Sequence, residues 1–150
     1  MTTTQDLVVD ANILVRAVLG VRVFQLLNKY EGKVSFYSPA KCFEEARQHL
    51  PAILARRRIG IPAGMAIFEE ISGVVTPVDQ KVYTEYESLA RERIEKRDPN
   101  DWPVVAVALP AGCPIWTEDM DFFGCGIATW TTDRVEIYLR EPSTPSGLAS

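Results

Sequence analysis

The stretch RDPNDWPVVAVAL at residues 97–109, followed by PIWTEDMDF at residues 114–122, carries acidic residues at both junctions of an apolar helix and a short apolar strand. Asp98 and Asp101 flank Pro-Asn, a turn dipeptide, where the helix begins. Asp119 follows the strand almost directly. The pattern therefore predicts a helix and a strand whose ends both present carboxylates.

The rest of the chain alternates between short apolar runs and segments of helical periodicity. Strands are predicted at residues 7–9, 34–37, 74–76, 115–117 and 127–130, with residues 135–139 as a further edge strand. Helices are predicted at residues 13–19, 23–30, 39–50, 62–71, 79–96 and 101–109, the fifth with Val82 and Leu89 among its inward residues. This order predicts a single α/β domain with a mostly parallel sheet of about five strands.

Two adjacent glutamates lie in the predicted helix at residues 39–50, for which Ser38 is the expected N-cap and Pro39 the first helical residue. At 100° per residue, Glu45 falls at the edge of the apolar stripe of this helix, whereas Glu44 points away from it. Glu45 is therefore the expected site residue, with Glu44 as the alternative.

Composition limits the class of protein. The 150 residues are 47% hydrophobic and 24% charged, which is ordinary for a globular chain. We expect a cytoplasmic protein without a membrane segment, because there is no long apolar run or secretion signal and the three cysteines show no disulfide or zinc spacing. The net charge of −4 does not itself suggest a polyanion partner, but the acidic site candidates account for all of it.

Acidic residues recur at the ends of predicted strands and helices. In parallel α/β folds these ends meet at one edge of the sheet, where ligands bind. Clustered carboxylates repel one another, by about 4 kcal/mol for two unit charges ~4 Å apart at a dielectric near 20, and a divalent cation removes this penalty. Mg²⁺ and Mn²⁺ prefer oxygen ligands, so the pattern predicts a metal site. The candidates are Asp10, Glu45, Asp101, Asp119 and Asp121.

The arrangement resembles that of the PIN-domain nucleases, including the VapC-like toxins of toxin–antitoxin pairs. The resemblance rests on Val8-Val9-Asp10-Ala11-Asn12, a serine-led helix with Glu45, Asp98-Pro99-Asn100-Asp101 before an alanine/valine helix, and Thr117-Glu118-Asp119-Met120-Asp121. It implies a three-layer α/β/α domain over residues 1–141, and residues 142–150 are expected to form a mobile tail.

The resemblance also implies the roles of the residues. Asp10, Glu45, Asp101 and Asp119 would be catalytic, with Asp10, Asp101, Asp119 and Asp121 as metal ligands and with Asn12 and Thr117 as polar supports. The implied activity is Mg²⁺- or Mn²⁺-dependent endonuclease cleavage of single-stranded RNA. The implied partners are an antitoxin protein and a second copy of the chain.

Other readings stay open at several positions. Asp98 is expected to be a turn residue rather than a ligand. Trp102 either stacks on a base or packs in the core, and the run Arg56-Arg57-Arg58 either contacts phosphates or is a solvated face. His49 is the only histidine, which excludes machinery that needs two.

Three alternative functions are weighed against the nuclease. One is a PIN-like module that binds RNA or protein without catalysis. The second is an aspartyl-phosphate phosphatase, but such enzymes show Asp-x-Asp after the first strand, where this chain has Asn12. The third is a receiver-type signalling domain, which would need paired acids near the first strand, and Asp6 alone gives poor support.

Overall fold

A computed structural model describes residues 5–141 of the chain. The strands are β1 (Gln5–Val9), β2 (Val34–Pro39), β3 (Val75–Val78), β4 (Ile115–Trp116) and β5 (Thr129–Trp130). The helices are α1 (Ala11–Leu19), α2 (Arg22–Tyr30), α3 (Ala40–Arg56), α4 (Ile61–Ser72), α5 (Gln80–Tyr83), α6 (Glu87–Ile94), α7 (Trp102–Ala111) and α8 (Val135–Leu139). Short 3₁₀ helices lie at Thr84–Tyr86, Pro99–Asp101 and Met120–Phe122.

The five strands form one sheet in the order β3-β2-β1-β4-β5, and every pairing is parallel. The predicted α/β fold with a parallel sheet is therefore confirmed. The chain starts at the central strand, winds outward to β3 and then returns past β1 to β5. The reversal of direction between β1 and β4 is the kind of switch point at which α/β sheets place their ligands.

The helices form two layers. Helices α1 to α4 pack against one another, as do α6 and α7, and α7 also contacts β1, β2 and β4. Right-handed connections place α1 to α4 on one face of the sheet and α5 to α7, which connect β3 to β4, on the other. Helix α7 is the most buried, with an unbroken run from Pro103 to Ala108 removed from solvent. The apolar composition of residues 103–108 is thus explained by burial on all sides.

Two glycines shape the helical layers. Gly112 ends α7 in the left-handed conformation, with φ of 62°, as expected for a residue that stops a helix. Gly64 lies where α4 approaches α3, and a Cβ atom there would come within 2.5 Å of Leu54 Cδ1. The close contact between α3 and α4 therefore requires glycine at this position.

The structure corrects the predicted start of α3. Ser38 and Pro39 belong to β2, and Ser38 is not a helix cap. Its hydroxyl instead donates a hydrogen bond of 2.7 Å to the carbonyl of Val9, which ties the ends of β1 and β2 together. Helix α3 also continues through Pro51 to Arg56, beyond the predicted end.

Two further predictions of secondary structure are wrong. Residues 79–96 form α5, a 3₁₀ turn and α6 rather than one long helix, and Val82 and Leu89, expected inward, are 60% and 47% exposed. Residues 135–139 form α8, not an edge strand. Val135 and Leu139 are buried four residues apart while Ile137 is 40% exposed, which is the helical period and not the strand period.

No single helix within residues 5–141 is long and apolar enough to cross a membrane, and α1 and α2 meet that criterion only as a pair bent by 105°. The predicted tail at residues 142–150 lies outside the described residues.

Candidate active site

Strand register brings Asp10 and Thr117 together at the carboxyl edge of the sheet. Val9 pairs with Trp116 in the parallel ladder, so the next residue of each strand lies beside its counterpart. The Asp10 N–H donates to the Trp116 carbonyl at 3.4 Å, and the Thr117 N–H donates to the Trp130 carbonyl at 3.0 Å. The backbone of three strands therefore fixes both residues before their side chains interact.

Asp10 is 5% exposed and accepts two hydrogen bonds. Its Oδ1 accepts from the Ile13 N–H at 3.0 Å, which caps α1, and its Oδ2 accepts from the Thr117 hydroxyl. Burial raises the pKa of Asp10 to about 6, because these two hydrogen bonds offset only part of the lost hydration. The negative charges of Asp119 and Glu118 add to the rise.

The loop after β4 is organised by Thr117, which is fully buried. Its hydroxyl donates to Asp10 and accepts from the Asp119 N–H at 2.9 Å. Asp119 Oδ1 in turn accepts from the Asp121 N–H at 2.9 Å and begins a 3₁₀ turn. One threonine hydroxyl thus connects two of the predicted ligand residues, Asp10 and Asp119.

Asp101 lies between the 3₁₀ turn at Pro99–Asp101 and α7. Its Oδ2 is buried and has no hydrogen-bond partner. Burial first, and then the negative charges of Asp119, Asp98, Asp10 and Asp121, together raise the pKa of Asp101 to about 7. A buried carboxylate oxygen without a donor is costly in a protein interior, so it needs either a proton or a cation.

A cavity of about 110 Å³ lies between these elements. Asp10, Glu45, Asp101 and Asp119 all line it, as does Asn12. Glu45 is half-buried, whereas its neighbour on α3 is exposed to solvent and does not line the cavity. The geometry therefore favours Glu45 over Glu44, as the helical wheel does.

Asp121 belongs to a second acidic group. One carboxylate oxygen from each of Asp98, Asp101 and Asp121 lies within 4.8 Å of the others, so this group also has the spacing of a metal site. The two acidic groups share Asp101. Asp98 fulfils the expected turn role, because its Oδ1 accepts from the Asn100 N–H at 3.0 Å, yet its carboxylate is also a candidate ligand. Sequence could have indicated this second role, because Asp98 lies three residues before Asp101 and residues three apart align on one side of a 3₁₀ helix.

Several residues of the cavity lining, Lys41, Cys42 and Asn100 among them, were not predicted as site residues from sequence. Lys41 lies one turn before Glu45 on α3 and lines the cavity, as does Asn100. Cys42 also lines it, but burial, together with the charges of Asp10 and Glu45, raises the pKa of its thiol. Cys42 is therefore not a thiolate nucleophile at neutral pH.

The residues predicted to contact RNA lie in different places. Trp102 is half-buried, with its ring centroid 5.6 Å from that of Tyr83 and the Arg91 guanidinium 5.3 Å from its centroid. These contacts pack Trp102 against α5 and α6 at the start of α7. Arg56 and Arg57 line a separate groove, and Arg58 is absent from that lining.

The side chains fit a hard divalent cation. Each candidate ligand offers carboxylate oxygens, and the Cys42 thiol in the cavity lining stays protonated and is a poor ligand for such a cation. The unpartnered Oδ2 of Asp101 and the raised pKa of Asp10 and Asp101 are the features that bound cation charge would compensate.

Comparison with known proteins gives a family and a fold. The family profile of the PIN domain matches residues 8–140. A search of curated proteins finds no significant match. A chain of VapBC2 from Rickettsia felis, bound to a DNA fragment from its promoter, superposes with a TM-score of 0.66 at 12% identity, covering 85% of this chain and 98% of that one.

Two other solved structures superpose similarly. PAE2754 from Pyrobaculum aerophilum gives a TM-score of 0.68 at 17% identity, covering 90% of this chain and 89% of that one. A chain of a toxin–antitoxin complex from Klebsiella pneumoniae gives 0.54 at 16% identity, covering 83% of this chain and 96% of that one. At these identities the structural likeness establishes the fold alone.

Proposed function

Because this chain belongs to the PIN-domain family, we propose that it is a Mg²⁺- or Mn²⁺-dependent endonuclease that cleaves single-stranded RNA. The observation that carries the proposal is the Asp101 carboxylate, which has a buried Oδ2 without a donor at the meeting point of two acidic groups. A purely structural aspartate at a helix start would use its oxygens to cap backbone N–H groups, as Asp79 does at Lys81.

In this proposal Asp10, Asp101, Asp119 and Asp121 hold the cation. The bound cation would supply an activated water and would neutralise charge that develops on the phosphate. Thr117 positions Asp10 and the Asp119 backbone through its single hydroxyl. Glu45 lines the same cavity as Asp101, where its carboxylate would accept a hydrogen bond from a water molecule as a general base.

The proposal extends to a partner. We infer that the protein is the toxin of a type II toxin–antitoxin pair, which is supported by the fold that it shares with chains of the Rickettsia felis VapBC2 structure and of the Klebsiella pneumoniae complex. A second copy of the chain is also proposed as a partner. Both partners are proposals from the family and the fold.

The test is cleavage of a panel of mixed-sequence single-stranded RNAs with Mn²⁺, Mg²⁺ or EDTA. We expect cleavage that requires metal and that is lost in Asp10→Ala and Asp101→Ala, because both carboxylates would hold the cation. The two neighbouring glutamates provide a matched pair. Glu45→Gln should lower kcat by about 100-fold or more, whereas Glu44→Gln should change it less than about twofold.

The rival function, a PIN-like module without catalysis, predicts a different result. If the wild-type protein cuts no RNA in the panel, calorimetry with Mn²⁺ decides between the two. Mn²⁺ binding that is lost in Asp101→Ala would retain the metal site and indicate a missing substrate. Absence of Mn²⁺ binding in the wild-type protein would reject the nuclease and leave the module.

A further inference from the structure

A groove of about 770 Å³ lies beside the acidic cavity, between α1, α2 and the end of α3. Four arginines line it: Arg16 on α1, Arg22 on α2, Arg56 at the end of α3 and Arg57 just after it. No acidic side chain within residues 5–141 belongs to this lining. The floor is apolar, with contributions from α1, α2 and α3. The groove is therefore a concentrated cationic surface on a chain whose net charge is −4.

The groove adjoins the acidic cavity at two points. Asn12 lines both, two residues after Asp10. On the other side, Thr132 lines the groove, and its N–H donates at 2.6 Å to the carboxylate of Glu118, the residue before Asp119. A linear polymer with one of its units in the acidic cavity therefore lies over the arginines if it extends from the cavity toward Asn12 and Thr132.

The cavity and the groove have complementary charge. The cavity, at about 110 Å³, holds little more than one phosphate group with its waters, so the rest of a polynucleotide must lie outside it. Clustered carboxylates also repel a polyanion, and the adjoining guanidinium groups offset this repulsion. Planar guanidinium groups bind phosphate through paired N–H donors.

We propose that this arginine groove, defined by Arg16, Arg22, Arg56 and Arg57, binds the phosphates of a single-stranded nucleic acid on one side of the cleaved bond. The proposal rests on the proposed nuclease function and adds the course of the substrate. Arg22 contributes least, because its Nη2 already donates to Glu136 at 3.1 Å. Arg16, Arg56 and Arg57 supply most of the phosphate contacts.

The chain contains a matched control for this proposal. Arg58 directly follows Arg57 but takes the left-handed conformation, with φ of 59°, where the chain turns from α3 toward α4. It is exposed and does not line the groove. Removal of Arg58 changes the net charge by the same amount as removal of Arg57 alone, so comparison of Arg57→Ala with Arg58→Ala separates local phosphate contact from general electrostatic attraction, and Arg56→Ala/Arg57→Ala enlarges the effect.

The experiment measures cleavage by the full chain with Mn²⁺ on two RNAs of mixed sequence, one of about 20 nucleotides and one of about four. In Arg56→Ala/Arg57→Ala, KM for the long RNA should rise on the order of tenfold with kcat unchanged, and the slope of log KM against log salt should fall by about 0.7 per lost contact. The short RNA should be cut as well as by the wild type. Arg58→Ala should change neither KM nor the slope.

Two results would overturn the proposal. One is that Arg56→Ala/Arg57→Ala and Arg58→Ala change KM for the long RNA equally. The other is that the double variant leaves KM unchanged but no longer binds an amphipathic helical peptide with glutamates on one face and leucines on the other. That result would assign the groove to an acidic protein segment. Since the arginines are exposed, the variants should fold, and their thermal midpoints verify this.

Failure of the proposed function gives a separate signal. If no RNA is cleaved, fluorescence anisotropy of the labelled long RNA with Mn²⁺ still tests the groove. Weaker binding by Arg56→Ala/Arg57→Ala than by Arg58→Ala supports the groove without the nuclease. Equal binding by all three proteins rejects the groove.

Discussion

Two groups of carboxylates in this protein have opposite surroundings. At the sheet edge, Asp10 accepts two hydrogen bonds but the buried Oδ2 of Asp101 accepts none, and burial raises the pKa of these two carboxyl groups to about 6 and about 7. On the surface of α8, Glu136 accepts from Lys29 and Tyr30 at 2.7 Å each and from Arg22 at 3.1 Å. These three hydrogen bonds, that of Lys29 first, lower the pKa of Glu136 to about 2.

The difference separates a structural carboxylate from a candidate ligand. Glu136 is satisfied by the protein itself and connects α8 to α2. The buried Oδ2 of Asp101 has no hydrogen-bond donor. The fold is therefore less stable than it would be with a donor there, and the oxygen is free to bind a cation. Substitution by the neutral amide should therefore have opposite effects at the two places, and the following experiments test this contrast.

Asp101→Asn should have the largest effect. Loss of a ligand carboxylate should lower metal-dependent cleavage by more than about 100-fold and abolish Mn²⁺ binding by calorimetry. In EDTA at neutral pH the same variant should have a higher thermal midpoint than the wild type, because it removes a charge that burial and four acidic neighbours disfavour. A lower midpoint would show that the carboxylate is structural.

Thr117→Val should come next, because it removes one hydroxyl without changing the shape of a fully buried side chain. Asp10 Oδ2 would lose its donor and the Asp119 N–H its acceptor. We expect Mn²⁺ affinity to fall by about 10–100-fold and stability by about 1–3 kcal/mol. Thr117→Ser keeps the hydroxyl and should recover most of the affinity. Equal losses in both variants would point to packing instead.

The pH dependence of metal binding gives a smaller, graded effect. Between the ordinary value of 3.8 and the raised pKa of about 7 for Asp101, the folded chain retains a proton that the unfolded chain releases. The metal-free protein therefore loses stability as pH rises through this range, and the loss is complete above it. Mn²⁺ binds the ionised carboxylates, so its stabilising effect should grow from about pH 5.5 to about pH 7.5. Thermal midpoints with and without Mn²⁺ measure this, and a constant difference would contradict it.

The positions of the site acids could largely be predicted from sequence. A parallel sheet brings strand ends to one edge, so Asp10 and Thr117 needed only the strand pattern to be placed together. Glu45 needed only the helical period. These inferences depend on local periodicity and on one general property of α/β folds.

Other features depend on contacts between distant segments. Ser38 looks like a helix cap in sequence, but its hydroxyl bonds to Val9, 29 residues away. The apolar alternation at residues 135–139 is typical of a strand. The structure has a helix there, and Glu136 accepts hydrogen bonds from α2 residues that are 106 to 114 positions away in the chain. The arginine groove likewise combines three helices, so only its Arg56-Arg57 part is visible as a run. Sequence periodicity carries no information about such contacts between distant segments.

Glu136→Gln should have the smallest effect and the opposite sign to Asp101→Asn. The glutamate lies at the surface, where solvent and salt screen its ion pairs, so the thermal midpoint should fall by only about 1–2 °C. Because the pKa of Glu136 is lowered from 4.5 to about 2, its contribution is present above about pH 4.5 and is lost as the pH falls toward 2.

The two proteins should therefore differ in midpoint at neutral pH and converge in acid or in about 1 M salt. Mn²⁺ affinity should be unchanged, since Glu136 is not among the residues of the described range 5–141 that line the acidic cavity. Glu141→Gln, at an exposed glutamate just after α8, is the matched control and should leave the midpoint in place. If Glu136→Gln instead raised the midpoint, as expected for Asp101→Asn, the contrast between a satisfied carboxylate and one kept available for a cation would not hold.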